Sequence, residues 1–473
     1  MTKTAITGVP SEWKAELSEF GPITVPDAQP TASPSDWRGS EKLLFRFFFI
    51  YFIIQAVPLD WTYYRDLFAI DWTNLQYRGI FYLARYQPEF FDGPDTFANW
   101  AIVALIAGVG AVIWTYRDQG ANHYNQLYYW LRVVVRYRLA VGLLAYGFIK
   151  LFPLQAPYPS ISNLNTHYGD FTAWKLFSLS LGIVPSYESF LGLVEILGAL
   201  LLLNRKTAGI GTLIILPFTG NVFVSNLAYE GGEYVYSFYL VVLALFIFAY
   251  DAVRLFRLVS LEQPTAPNRF RLVLTKPWQR TARLALKTAF VLFFVGLYGY
   301  KTYGGYRQGR YHFPQQPGLA GASGIYNVSE FRVNNNVLPY SRTDSTRWQD
   351  VVFEKWATIS IKSNRPVRLD RSNTEEMYAS DADRTYELAG SQGRHYYSYD
   401  VDPARQTLRL RNRNKAHAGE TLTLRYSRPT PSQLILSGIN EAHDSIHVVL
   451  DKVNKKYLVE EAAKAGRRGT LTL

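Results

Sequence analysis

Cysteine is missing from all 473 positions. The chain therefore forms no disulfide, carries no thiol nucleophile and builds no thiolate metal site, so any redox chemistry needs a bound cofactor or a partner protein. The first 40 residues lack the basic n-region and apolar h-region of a cleavable signal peptide. They are rich in Pro, Ser, Thr and acidic residues, which reads as a poorly ordered arm, and membrane targeting is then expected from the first spanning helix. Clustered metal ligands are also lacking. His395, His417, His443 and His447 are scattered, and the one close pair, His443 and His447, has no third ligand at coordinating distance in the sequence. The net charge of +12 does not point to nucleic acid, because Lys and Arg are spread as flanks of apolar runs and not gathered into one patch. That distribution suits contact with anionic lipid headgroups.

Long apolar runs fill the first 300 residues, and a mean hydropathy of −0.07 hides them by averaging with a polar remainder. A helix needs about 20 apolar residues to cross the hydrocarbon. Seven stretches come close: 43–59, 97–116, 133–152, 190–203, 209–229, 234–256 and 281–300. Many of the 34 Tyr and 11 Trp flank these runs, where amphipathic rings settle at the headgroup level. Between the first two spans, the aromatic segment 67–84 has apolar residues at helical spacing. It suits a helix in the membrane interface, either a lid over the bundle or a passive interfacial element.

Orientation follows from the basic residues beside the spans. The link between the sixth and seventh carries Arg254, Arg257, Arg269, Arg271, Lys276, Arg280, Arg283 and Lys287 against the single acid Glu262, whereas the link Glu230-Gly-Gly-Glu233 has no basic residue. The positive-inside rule then gives a cytoplasmic N-terminus and an exported, periplasmic C-terminal region in a bacterial plasma membrane. After a linker rich in Gly and Pro, short alternating runs such as Thr407-Leu-Arg-Leu-Arg411 and Thr421-Leu-Thr-Leu-Arg-Tyr426 indicate at least six strands of an antiparallel barrel or sandwich. The expected organisation is an arm (1–42), two spans with an interfacial aromatic loop (43–131), a four-helix bundle (132–257), and a basic loop with the seventh span (258–303). A linker (304–323), an exported β domain (324–459) and a loose tail (460–473) follow.

Polar residues inside the spans are the candidate site, because an intramembrane charge is costly and needs a partner or a proton. Arg138, Gly142, Tyr146 and Lys150 recur every four residues and form one stripe of the third span. Its cations either face the bundle or snorkel to the two interfaces. Glu195, in the middle of the fourth span, either pairs with Arg138 or is held neutral, and reads as a proton carrier, a ligand for a polar head such as a quinone carbonyl, or a packing hydrogen bond. On the fifth span Asn221 and Asn226 follow Pro217 and Gly220, which suits either a broken helix around a polar cavity or amides that glue helices. In the exported loop, His167 and Asp170 stand three residues apart at the expected bundle mouth, as an acid-base pair or as parts of a turn.

The segments Arg138-Leu-Ala-Val-Gly142-Leu-Leu-Ala-Tyr146-Gly147-Phe-Ile-Lys150 and Gly192-Leu-Val-Glu195-Ile-Leu-Gly198, with the Asn-containing fifth span, resemble the DoxX-like family of bacterial membrane proteins, a four-helix module. The whole layout is similar to a longer Bacteroidota branch with extra N-terminal spans and a β-rich C-terminal domain. The resemblance implies a plasma-membrane location. It also implies, from relatives that are subunits of a thiosulfate:quinone oxidoreductase or act in redox maturation, a link to quinones and redox partners. Arg138, Gly147, Lys150, Glu195 and Gly198 match the family pattern, while the absence of cysteine puts direct thiol chemistry in doubt. Separately, Gly324-Ile-Tyr326 is similar to the opening strand of lipocalin-type barrels. Two functions are expected to compete: a redox accessory that binds a lipid-soluble small molecule in its polar bundle, and a non-enzymatic envelope anchor that presents a ligand- or partner-binding β domain. A transporter is disfavoured, since no inverted internal repeat is visible.

Overall fold

Helices occupy every apolar run and strands the alternating ones. The computed structural model describes residues 37–90, 96–118, 120, 123–265, 275–308, 312–372, 380–440 and 442–466. In chain order its helices are α1 (Gly39–Ala56), α2 (Trp61–Ala69), α3 (Tyr77–Ala84), α4 (Phe97–Arg117), α5 (Asn125–Leu151), the single turn α6 (Ile161–Leu164), α7 (Ala173–Gly182), α8 (Pro185–Leu202), α9 (Ala208–Ala228), α10 (Tyr234–Val259) and α11 (Pro277–Gln308). Among the described residues six helices are long and apolar enough to cross a membrane: Gly39–Ala69, which joins α1 and α2, with α4, α8, α9, α10 and α11.

The seventh expected span is α5, and it differs in kind. Its 27 residues reach about 40 Å, enough to cross, yet it carries Arg132, Arg136, Arg138 and Lys150. From Arg138 to Lys150 every residue is buried, because α1, α3, α8, α10 and α11 pack around it. A helix wrapped by protein on all sides need not present an apolar surface to lipid, which is why its composition departs from that of its neighbours.

The closest approach in the bundle is between α5 and α8. A Cβ at Gly192 would press on the Leu151 amide nitrogen and the Gly147 carbonyl, and one at Gly147 would lie 2.8 Å from Ile196 Cγ1. Small residues on both helices let the two backbones touch. Between α1 and α4 the chain forms two short helices where one interfacial helix was expected. Asp71 Oδ1 accepts the amides of Thr73 (3.0 Å) and Asn74 (3.2 Å), and this turn breaks the helix between α2 and α3.

The helix ends sort into two faces. Arg46, near the start of α1, donates to Tyr124 Oη (2.6 Å) and to the Asp118 carbonyl (2.7 Å), which puts the N-terminal end of α1 beside the α4–α5 link. On the opposite face the end of α3 meets the α9–α10 link, and the β domain follows α11 there.

That domain is a closed barrel. Strands β1 (Gly324–Val333), β3 (Asp350–Phe353), β4 (Thr358–Lys362), β5 (Arg394–Asp402), β6 (Thr407–Asn412), β7 (Thr421–Thr430), β8 (Gln433–Ile439) and β9 (Ser445–Lys452) pair antiparallel in sequence order, and β9 returns to β1. The two-residue β2 (Asn336–Val337) pairs with β1 alone. Alternation made β6 and β7 legible. β3 escaped notice because its Val351, Val352 and Phe353 are all buried and do not alternate. The lumen is filled by Phe331, Phe353, Tyr397, Leu410, Leu424, Leu436 and Val448 among others, so this is a packed core and not the open cup of a lipocalin.

Three expected boundaries move. Helix α1 begins at Gly39, inside the expected arm, and residues 1–36 lie outside the described residues. Helix α11 runs on to Gln308, into the expected linker. A last helix, α12 (Leu458–Ala465), stands in the expected loose tail, where Glu460 and Glu461 favour its first turn, while 467–473 lie outside the described residues.

The α5–α8 contact predicts a contrast between two glycines. Gly192→Ala forces backbone apart and should destabilise the protein by about 1–3 kcal/mol. Gly220→Ala on α9 meets nothing within 4 Å and should be neutral or stabilising by up to about 1 kcal/mol. Thermal unfolding in mild detergent measures both.

Candidate functional site

The α5–α8 crossing sets the geometry of the polar interior. Glu195 lies one turn beyond Gly192 and Lys150 one turn beyond Gly147, so the two side chains meet where the backbones touch. Lys150 Nζ donates to Glu195 Oε1 at 2.6 Å, with both residues buried (7% and 4% exposed). Glu195 therefore pairs with Lys150 and not with Arg138, and Lys150 does not snorkel. The other carboxylate oxygen, Oε2, has no hydrogen-bond partner among the described residues.

The stripe on α5 serves three separate purposes. Arg138 Nη2 donates to the carbonyls of Ala84 (2.6 Å) and Tyr86 (2.5 Å), closing the C-terminal end of α3, and its guanidinium lies 5.4 Å from the Tyr86 ring centroid. Tyr146 Oη donates to Glu233 Oε2 (2.7 Å) and accepts from Arg85 Nε (2.9 Å), while Arg85 and Glu233 form an ion pair at 2.9 Å. Lys150 alone serves the α5–α8 contact.

The fifth-span amides do not join this interior. Asn221 is exposed on α9, off the face formed by Gly211, Thr212, Ile215 and Thr219. Asn226 is half-buried and donates to Val222 O of its own helix (3.0 Å). Helix α9 continues through Pro217, so there is no broken helix around a cavity. His167 is exposed and its Nε2 meets Lys362 Nζ of the barrel at 2.6 Å; the backbone carbonyl of Asp170 accepts from the Gln392 amide at 2.7 Å. These two residues tie the α5–α7 loop to the barrel in place of forming an acid-base pair.

The seam between bundle and barrel holds a buried charged cluster that the sequence did not reveal. Glu354, at the end of β3, accepts from the Ser162 amide (2.7 Å), Ser162 Oγ (2.6 Å) and the Ile161 amide (3.3 Å), and so caps α6 from the barrel side. Ser162 Oγ also meets Ser360 Oγ (2.8 Å), which accepts from Arg394 (3.2 Å). Arg394 in turn is ion-paired with Asp350. Beside it, Arg413 binds Glu387 Oε2 at 2.5 Å, and Asn163 Nδ2 donates to the Glu387 carbonyl (3.0 Å). From α7, Lys175 donates to the Tyr386 carbonyl and lies 3.5 Å from the Tyr386 ring centroid. No periodicity marks a turn acid such as Glu354 as buried, since its burial comes from a loop almost 200 residues away in sequence.

Burial shifts these groups. It pushes the Glu354 carboxyl up to about 7, with the Glu387 charge adding to the shift, and pulls the Lys175 ammonium down to about 7. His312, whose ring meets the Leu154 carbonyl, is lowered to about 4 by burial.

Beside the seam is a cavity of about 980 Å³ lined by Tyr63, Tyr77, Tyr82, Asp66, Arg78 and Arg384 among others. Its walls come from α2, α3, the end of α11 and the loop before β5. Among the described residues no group of three or more His, Asp or Glu is placed to hold a metal ion.

No known protein family, characterised protein or solved structure matches this chain.

Two outcomes are expected from the interior and the seam. Lys150→Met leaves a buried carboxylate unpaired and should cost about 3–5 kcal/mol, whereas Lys150→Met with Glu195→Leu should return to within about 1 kcal/mol of wild type; a double-mutant cycle in detergent measures both. Lys175 has its folded pKa near 7 against an ordinary 10.5, so its contribution is present above 10.5 and is lost as pH falls through 7. Glu354 is raised from 4.5 to about 7, so its contribution is present below 4.5 and is lost as pH rises through 7. Unfolding temperature should therefore rise from pH 7 to 10.5 more steeply in wild type than in Lys175→Met. Between pH 4.5 and 7 it should fall more in wild type than in Glu354→Gln.

Proposed function

We propose that this chain is a bacterial plasma-membrane protein that binds a lipid-soluble small molecule with a polar head, of the quinone class, as an accessory to redox partners in the envelope. The observation that carries this reading is the 980 Å³ cavity where α2, α3 and α11 meet the barrel. Tyrosine rings there offer stacking surfaces, and Asp66, Arg78 and Arg384 offer hydrogen bonds to a polar head, at the level where a membrane-dissolved amphiphile presents it. The site thus moves from Glu195 to the bundle mouth, because the Lys150–Glu195 pair is closed by the glycine contact around it. The resemblance of the α5 and α8 segments to the DoxX-like family supports the quinone link. Orientation rests on Arg205, Lys206, Arg254 and Arg257, which lie at the end of the bundle away from the barrel and favour a cytoplasmic N-terminus and a periplasmic barrel.

A second reading is a scaffold that presents the barrel to envelope proteins. The filled lumen and the seam that fixes the barrel on the bundle favour it.

The experiment is purification in mild detergent, solvent extraction and mass spectrometry of the extract. A stoichiometric isoprenoid quinone is expected, reduced at least fivefold in Tyr82→Ala and in Arg78→Gln. An empty wild-type protein whose barrel cross-links to an envelope protein would replace the first reading with the second. A reporter fused after Leu473 that is active only in the cytoplasm would overturn the orientation.

A further inference from the structure

The end of the bundle away from the barrel has a cavity of its own. It encloses about 370 Å³ between α5, the α8–α9 link and α10. Arg132 and Arg136, one turn apart on α5, share it with Arg205, Lys206 and Arg254, and Asp251 is the one carboxylate in its lining. Asp251 is already engaged by Arg254 at 3.0 Å. The Arg132 guanidinium stacks on Tyr250, 3.1 Å from the ring centroid, and that fixes it in the cavity wall. The Nε atoms of Arg132 and Arg136 are buried without a hydrogen-bond partner among the described residues. Two half-buried guanidiniums side by side repel each other and lose water, and an anion between them reverses both costs.

The rest of the lining says what carries that anion. The rest of the wall is apolar, with Val133, Ile210, Leu213, Leu255 and Leu258. Ile210 and Leu213, 55% and 45% exposed, follow Arg205 and Lys206 into α9 and so lie on the bundle side of these two cations, where acyl chains run. A soluble phosphate would use the cations and leave this apolar strip bare. A lipid uses both, with its phosphates among the arginines and its chains along α9 and α10. The cations outnumber the single charge of an ordinary phosphodiester headgroup.

We infer that this cavity binds a membrane lipid bearing two phosphate charges, either two phosphodiesters on one glycerol-based lipid or a diphosphate on an isoprenoid chain. The site is on the opposite face from the proposed quinone cavity, shares no residue with it and does not depend on that reading.

The test uses the full chain, stripped of lipid by extended detergent exchange and placed in phosphatidylcholine nanodiscs containing cardiolipin, undecaprenyl diphosphate or phosphatidylglycerol at matched total charge. Native mass spectrometry counts the retained lipid. One cardiolipin or one undecaprenyl diphosphate per protein is expected, and which of them is retained identifies the source. Affinity should fall at least tenfold in Arg132→Gln/Arg136→Gln. Because Arg132 also packs on Tyr250, the loop variant Arg205→Gln/Lys206→Gln provides an independent loss of at least threefold, while the exposed Arg283→Gln on α11 should change nothing. Equal retention of phosphatidylglycerol, or unchanged affinity in both double variants, would overturn the inference. Displacement of the lipid by equimolar inorganic pyrophosphate would show a soluble-phosphate site and would overturn it as well.

Discussion

Everything in the membrane half is arranged around the burial of α5. A helix with four cations gains nothing by entering lipid, and from Arg138 to Lys150, where it is buried throughout, the surrounding helices supply counter-charges and carbonyls. They do so in sequence along the axis: carbonyls at the end of α3 for Arg138, the Arg85–Glu233 pair for Tyr146, and Glu195 for Lys150. The last of these lies beside the two glycines where the backbones touch. A buried ion pair of this kind contributes little net stability compared with an apolar pair of equal volume, but it penalises every arrangement in which α5 and α8 are out of register. Its effect is on which bundle forms more than on how firmly it holds.

The seam applies the same physics at a boundary between two architectures. An apolar contact between barrel and bundle would tolerate sliding. Glu354 on the α6 amides, Asn163 on the Glu387 carbonyl and Lys175 on the Tyr386 carbonyl each have one geometry in which the buried group is satisfied, so the barrel has one seat. Burial shifts two of these groups in opposite directions toward neutrality, Glu354 up and Lys175 down, which makes that seat sensitive to the proton concentration around it.

The sequence made the membrane half and the β class readable, because both depend on local patterns: runs of about 20 apolar residues, and alternation with period two. The cost of charge in lipid marks Glu195 as needing a partner or a proton, but leaves open whether Arg138 and Lys150 face the bundle or snorkel. The partner itself is not legible, since Lys150 is 45 residues from Glu195 and the sequence offers Arg138 in its place. Of the two readings of Asn221 and Asn226, a broken helix and amides that glue helices, the first does not hold because the helix passes through Pro217. Glu354, Glu387, Lys175 and Arg413 were invisible for a different reason: each looks like an ordinary surface charge, and only the docking of two distant segments puts it out of water.

Closure of the barrel has a further consequence for how it can meet another protein. With β9 paired to β1, every long strand has neighbours on both sides, and among the described residues the open edges are short: the two-residue β2 and the end of β7 beyond Arg425. Strand addition, the commonest way for an extended peptide to join a β domain, has no template of useful length here. A protein that recognises this barrel must therefore do so through side chains, on its loops or its outer wall, and such recognition is specific to sequence where backbone pairing would not be.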